Sequence, residues 1–178
     1  MAAANTGIFE ALGKHNKTFQ QVADICKTHP GATRQLLNCL VSIGYLKWNN
    51  DKYSLKPKFY KWLLKEYPSN VNGKLRFQIS EWNWMAYLEE YVRTGKVMEL
   101  HSSLSEKEWA SYQEGMRDLS VNTAKELSGK IKLPSQASKM LDIGGSHGLF
   151  SIELCKKHPA LSSTILELLI RKPLARQI

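Results

Sequence analysis

The segment from Lys139 to Leu168 constrains this chain more than any other. Lys139-Met140-Leu141-Asp142-Ile143 is a short apolar, β-prone run, and Gly144-Gly145-Ser146-His147-Gly148 follows as a loop. Leu149 to Lys157 has helical character and is ended by His158-Pro159. Ser163-Thr164-Ile165-Leu166-Glu167-Leu168 is a second β-prone run. Strand, glycine loop, helix, strand spells a β-α-β unit. Two strands joined through a helix pair in parallel, and a parallel pair needs a crossover of this kind.

Such a unit is suited to gripping a nucleotide-like ligand. Glycines let the backbone turn sharply and let a ligand approach the main chain. The helix start presents amides without intrahelical acceptors. An acid about 20 residues past the loop, at the end of the second strand, can accept hydrogen bonds from ribose hydroxyls. Glu167 stands there. The loop does not match the dinucleotide pattern G-x-G-x-x-G. Asp142, two residues before the first glycine, would repel a pyrophosphate and suits a ligand with a positive amino group. Those features point to S-adenosylmethionine, which has an amino-acid end and a sulfonium. A glycine loop alone is a weak signal, with a tight strand-to-helix turn as the lesser alternative; Glu167 at the strand end adds weight.

Upstream, Gly7–Gly13 reads as the end of an amphipathic helix closed by a C-cap glycine. Thr18 can cap a helix over 19–27, whose Phe19, Val22, Ala23 and Cys26 recur at helical spacing. His29-Pro30-Gly31 is a turn, after which Thr33 is expected to cap a helix from Arg34 to Ile43, stopped by Gly44. Tyr45–Trp48 and Lys52–Leu55 flank Asn49-Asn50-Asp51 as a β-hairpin. Three helices and a hairpin make a winged helix-turn-helix order. Residues 57–128 read as mostly helical. A helix over 77–92 is apolar over so wide an arc that it must be buried, in its own domain or against a partner. Its Trp82, Trp84 and Met85 read as core or dimer interface. A further helix spans 108–127, and Leu133-Pro134-Ser135 marks a domain boundary.

The stretch Met140–Phe150, with Lys156-Lys157-His158-Pro159 and Thr164–Leu168, resembles the cofactor motif of the dimeric, S-adenosylmethionine-dependent O-methyltransferases of the caffeate and acetylserotonin type. The segment ending Ile43-Gly44-Tyr45-Leu46…Asp51–Leu55 resembles that family's winged-helix dimerisation domain. Thr94-Gly95-Lys96 and Tyr112–Met116 resemble the approach to its catalytic domain. The resemblance implies a mainly α winged-helix dimerisation domain over 1–100 and a helical connector over 101–134. It implies the start of a Rossmann-like methyltransferase domain over 135–178. It also implies a homodimer, a small-molecule substrate methylated on a hydroxyl, and S-adenosylmethionine as cofactor. Carried over, the family's contacts fall on Gly144, Gly145 and Gly148 in the loop and on Glu167 for the ribose. Met116 and Ser120 line the pocket, and Asp142 shapes the loop with a contact to the amino group. Three features depart from the family. Ser146 and His147 replace a Gly and a Thr, and Glu167-Leu168-Leu169 stands for the usual Asp-Leu-Pro. The chain also ends at Ile178, before the family's catalytic histidine base, so no catalytic residue is assigned. On this reading the chain is C-terminally truncated and could instead serve only as a dimerisation partner, with 135–178 poorly packed and the run over 164–170 exposed.

The net charge of +9 raises nucleic acid as a partner. Between Lys47 and Arg76 eight basic residues face only Asp51 and Glu66. The helix before the wing argues against base reading. It is apolar nearly all round, with only Arg34, Gln35 and Asn38 able to reach bases, so DNA binding is the weaker alternative. Cys26, Cys39 and Cys155 are too far apart for a metal or disulfide framework and read as buried and reduced. The five histidines have no metal-ligand spacing, and His147 reads as a loop side chain at a pocket rim. No apolar run is long enough to span a membrane. The start lacks a basic region followed by an apolar stretch, so a cytoplasmic protein is expected.

Overall fold

A computed structural model describes residues 1–99, 101 and 104–167. The chain forms two compact units, Met1–Gly115 and Met116–Ile178.

In the first unit, helices α1 (Ala2–Asn5), α2 (Ile8–Leu12), α3 (Phe19–Cys26) and α4 (Pro30–Ser42) precede strands β1 (Leu46–Asn49) and β2 (Lys52–Leu55). Thr18 begins α3 with a full capping box: its hydroxyl accepts from the Gln21 amide, and the Gln21 side chain accepts from the Thr18 amide. The expected start of α4 is corrected. His29 is the N-cap, its Nδ1 accepting from the Ala32 amide, and Pro30 opens the helix. Proline has no N–H to leave unpaired there and a preset φ, so the turn residues became the first helical turn. Thr33 is instead buried within α4, bonded to Thr28 and to the His29 carbonyl.

The hairpin is antiparallel, with Leu46 opposite Leu55 and Trp48 opposite Tyr53. Asn50 and Asp51 both have positive φ, 47° and 57°. A two-residue turn of this hand matches the twist of the strands, and Asn and Asp tolerate it best after glycine. Tyr53 also pairs with Lys17, which adds a bridge on the outer edge of β2. Ile8, Leu12, Val22, Leu37, Leu46 and Leu55 are almost wholly enclosed and form the centre of this core.

A 3-10 turn (Pro57–Phe59), α5 (Tyr60–Leu63), α6 (Asn72–Met85) and α7 (Leu88–Thr94) come next. The single helix expected over 77–92 is two: it begins five residues earlier and breaks at Ala86-Tyr87. Its apolar arc is mostly uncovered. Trp82 is 64% exposed, Met85 61% and Val92 74%. Phe77 is the exception, fully buried with its ring edge-to-face with Trp84 and Tyr112. Gly115 lets these helices approach, since a Cβ there would lie 3.3 Å from Phe77 Cβ.

Helix α8 (Glu106–Lys130) is longer than the sequence pattern suggested. Ser105 and Glu108 form a reciprocal cap at its start, and hydrogen bonds from Ser105 hold the Glu108 carboxyl below its usual range. The division between the two compact units falls inside this helix. From Met116 onward α8 belongs to the second unit, and there Asp118, Val121, Ala124 and Ser128 share a buried face.

In the second unit, β3 (Lys139–Ile143), α9 (Leu149–Lys157) and β4 (Ser162–Leu166) make the expected β-α-β unit. The strands are parallel, with Asp142 beside Ile165 and Ile143 beside Leu166. β4 begins one residue earlier than expected, and Leu168 lies outside the described residues, as does part of the apolar run over 164–170. Lys157 donates to the carbonyls of Ser128 and Gly129 at 2.8 and 2.9 Å, placing a cation on the end of α8 where acceptors lack partners. A two-stranded sheet cannot cover itself, and Leu141, Ile143 and Leu166 are exposed.

Candidate functional site

The glycine loop is built by its neighbours. Gly144 extends the ladder, its amide donating to the Leu166 carbonyl at 2.7 Å. Its φ is 71°, and a Cβ there would meet nothing within 4 Å, so this turn of the loop presents open backbone. Gly145 is closed in from beneath. A Cβ would stand 2.7 Å from Asp142 Cγ and Oδ2 and 2.9 Å from Ile165 Cγ2. Gly148, φ 72°, caps α9, with Ile165 Cδ1 2.9 Å from the position of a Cβ. Ser146 also takes a left-handed φ of 45°.

The structure brings Glu167 to this loop. Its Oε2 accepts from the Ser146 amide at 2.8 Å, 21 residues away in sequence. Strand pairing does this: β4 lies beside β3 and ends where the loop begins. Asp142 is half-buried below the loop. Its Oδ2 accepts from Ser151 Oγ at 2.6 Å, and Ser151 and Ser163 Oγ lie 2.8 Å apart. Its carboxylate therefore braces β3 against α9 and β4. Sequence reasoning missed this serine chain, because one serine in a nine-residue helix carries no distinctive signal.

Met116 and Ser120 sit one turn apart on α8, Ser120 Oγ donating to the Met116 carbonyl at 2.9 Å. Ser120 also meets the loop through His147, whose Nε2 is 3.1 Å from Ser120 Oγ. His147 is not a rim side chain. It is 9% exposed, and its Nδ1 accepts from the Leu149 amide at 3.2 Å. Burial holds its pKa below the usual imidazole value; the Met116 carbonyl works against this, Arg117 adds to it, and Asp142 works against it. All seven residues singled out for the cofactor, Asp142, Gly144, Gly145, Gly148, Glu167, Ser120 and Met116, thus fall in one unit.

The other candidate chemistry is dispersed. On α4 Arg34, Gln35 and Asn38 are exposed, as expected, together with Ser42 and Cys39. Two of those groups are engaged locally: the Arg34 guanidinium lies over the Phe19 ring, and Asn38 accepts from the Tyr53 hydroxyl at 2.7 Å. Within the basic run, Lys74 pairs with Glu81 and Arg76 with Glu114, while Lys58 and Lys61 lie over the Phe59 and Trp62 rings. The cysteines are free, and Cys39 is exposed where a buried residue was expected, because it faces outward on α4. Among the described residues no cluster of three His, Cys, Asp or Glu could hold a metal, and no helix is long and apolar enough to cross a membrane.

No protein-family model matches the sequence. A 3-hydroxy-5-methyl-1-naphthoate 3-O-methyltransferase of Streptomyces sahachiroi is 27% identical over 175 residues, 94% of this chain and 50% of that protein. The N,N-dimethyltransferase OxyT of Streptomyces rimosus is 23% identical over 189 residues, 99% of this chain and 54% of that protein. Among solved structures, human N-acetylserotonin methyltransferase in complex with SAM superposes with a TM-score of 0.76 at 22% identity, over 92% of this chain and 53% of that one. The chain spans about half the length of the curated relatives it matches. The chain is thus similar in sequence to methyltransferases, one of them an O-methyltransferase and one an N,N-dimethyltransferase, and similar in fold to about half of the acetylserotonin enzyme.

Proposed function

We propose that this chain carries the cofactor half-site of a methyltransferase that uses S-adenosylmethionine to methylate a hydroxyl on a small molecule. Its first unit is then a winged-helix dimerisation domain, and β3-α9-β4 begins a Rossmann-like cofactor domain. The observation that carries this reading is the meeting of Glu167 with the glycine loop, at 2.8 Å from the Ser146 amide. The residues fit the group: Gly144 offers open backbone for close approach, and an acid stands at the end of the neighbouring strand. When bound, S-adenosylmethionine supplies a methyl on a sulfonium. In this chain Glu167 accepts from hydroxyls of the ribose, Gly144 and Gly145 admit the methionine end, and Met116 and Ser120 face the ligand from α8. Asp142 acts through the loop it supports.

Calorimetric titration with S-adenosylhomocysteine tests this. Binding is expected, and Glu167→Gln should weaken it roughly 10- to 100-fold, the worth of about 1.5–3 kcal/mol for hydrogen bonds to a charged group. Absence of binding at millimolar ligand, with no NMR shift changes over residues 142–148, rejects the reading.

A second reading complements it: the chain pairs with a second copy. The apolar side chains left uncovered along α6 and α7 support this, together with the groove of about 900 Å³ lined by Trp84, Met85, Leu88, Tyr91 and Val97.

A further inference from the structure

His147 connects two parts of the half-site, the end of the glycine loop and α8. Leu149 opens α9, and its amide is one of those at a helix start without an intrahelical acceptor. His147 Nδ1 accepts from it at 3.2 Å. A ring nitrogen that accepts carries no proton, so the neutral ring holds its proton on Nε2. Nε2 faces Ser120 Oγ at 3.1 Å, and that hydroxyl donates onward to the Met116 carbonyl. The imidazole therefore joins the end of the glycine loop to α8 by hydrogen bonds at both nitrogens, and it is buried as it does so.

A protonated imidazole cannot keep this arrangement. Both nitrogens then donate, and Nδ1–H would face the Leu149 N–H. The charged groups around the ring are divided. Arg117 on α8 opposes the cation, while Asp142 on β3 and the Met116 carbonyl favour it; burial outweighs these and favours the neutral ring.

We propose that His147 is a positioning residue for the cofactor loop, its neutral ring pinning Gly148-Leu149 to α8, so that protonation loosens the loop and weakens ligand binding there. The loop-pinning half stands on this geometry alone; the ligand half rests on the cofactor reading given above. The direction in pH comes from the resistance of the folded ring to protonation. A free imidazole titrates near about 6.5, so the tie is fully present above that value and is lost as the pH falls through the lower folded one.

The test compares the wild-type chain with His147→Asn and His147→Leu. Asparagine keeps an acceptor close to the place of Nδ1 but does not titrate; leucine keeps bulk and loses the acceptor. Hydrogen exchange of the Leu149 amide, corrected for intrinsic rate, is read at pH 7.5 and pH 5, alongside titration with S-adenosylhomocysteine at both. In the wild type, protection of Leu149 should fall on acidification by up to about tenfold, the loss of a single hydrogen bond of ordinary strength, and ligand affinity should fall with it. His147→Asn keeps the acceptor for Leu149 and loses the bond to Ser120, so it should keep the Leu149 protection at both pH values and show a lowered affinity that no longer changes with pH. His147→Leu should lack the protection at both. Equal protection in wild type and His147→Leu, or a pH response that persists in His147→Asn, overturns the proposal. If His147→Leu does not fold, the pH profiles of the other two decide. If the wild type binds no ligand at either pH, the cofactor reading falls, and the exchange data alone judge whether His147 pins the loop.

Discussion

Gly145→Ala asks whether the loop is held as tightly from beneath as its geometry implies. Gly145 lacks the positive φ of Gly144 and Gly148, so alanine costs nothing in backbone conformation. Its methyl, however, would begin 2.7 Å from the Asp142 carboxyl and 2.9 Å from Ile165 Cγ2. Relieving that contact means moving Asp142 away from Ser151, to which it is bonded at 2.6 Å. Overpacking costs about 1–3 kcal/mol, and a hydrogen bond to a charged group contributes about 1.5–3 kcal/mol. Since the two are partly alternatives, about 2–4 kcal/mol is expected, a roughly 30- to 700-fold rise in opening of the β3-β4 pair. Gly144→Ala is the control. Its methyl enters open space, and the left-handed φ of 71° costs only about 1–2 kcal/mol. All five tryptophans, at 48, 62, 82, 84 and 109, precede Met116, so tryptophan fluorescence in urea reports the first unit alone. Amide exchange over 139–143 and 162–166 reports the second. Gly145→Ala should raise exchange in the strands more than Gly144→Ala does, leaving the fluorescence midpoint unchanged. The reverse order, or equal effects, would refute the account of the loop as braced by Asp142.

Other outcomes depend on single features. Thr18→Ala removes half of the capping box of α3 and should lower the stability of the first unit by about 1 kcal/mol, seen as a lower urea midpoint in tryptophan fluorescence; an unchanged midpoint would mean the box is not formed in solution. Leu88→Glu places a charge in the uncovered apolar groove. Sedimentation should show self-association in the wild type and its loss in the variant, with circular dichroism unchanged. A monomeric wild type would sink the dimer reading.

Local chemistry determined much of this protein before any contact was known. The capping box at Thr18, the left-handed Asn50-Asp51 turn and the glycine loop between β3 and α9 lie within a few residues of what specifies them, so they are legible in the chain. The β-α-β order and the acid at the end of the second strand are legible for the same reason. The misreadings arose where two local signals competed. Pro30 reads as a turn breaker and as a helix opener, and only the hydrogen bond from Ala32 to His29 decides between them. The apolar arc over 77–92 states that something must cover it, but not that α6 would break at Ala86 and leave Trp82, Met85 and Val92 open. Tertiary structure alone decided the rest. Asp142 bonds to Ser151 and Ser163 stands beside that serine, Glu167 meets Ser146, and His147 meets Ser120 on α8. Each of these contacts links residues from 9 to 27 positions apart. Such pairs form only when strand pairing and helix packing bring them together, and no periodicity or spacing in the sequence records that distance.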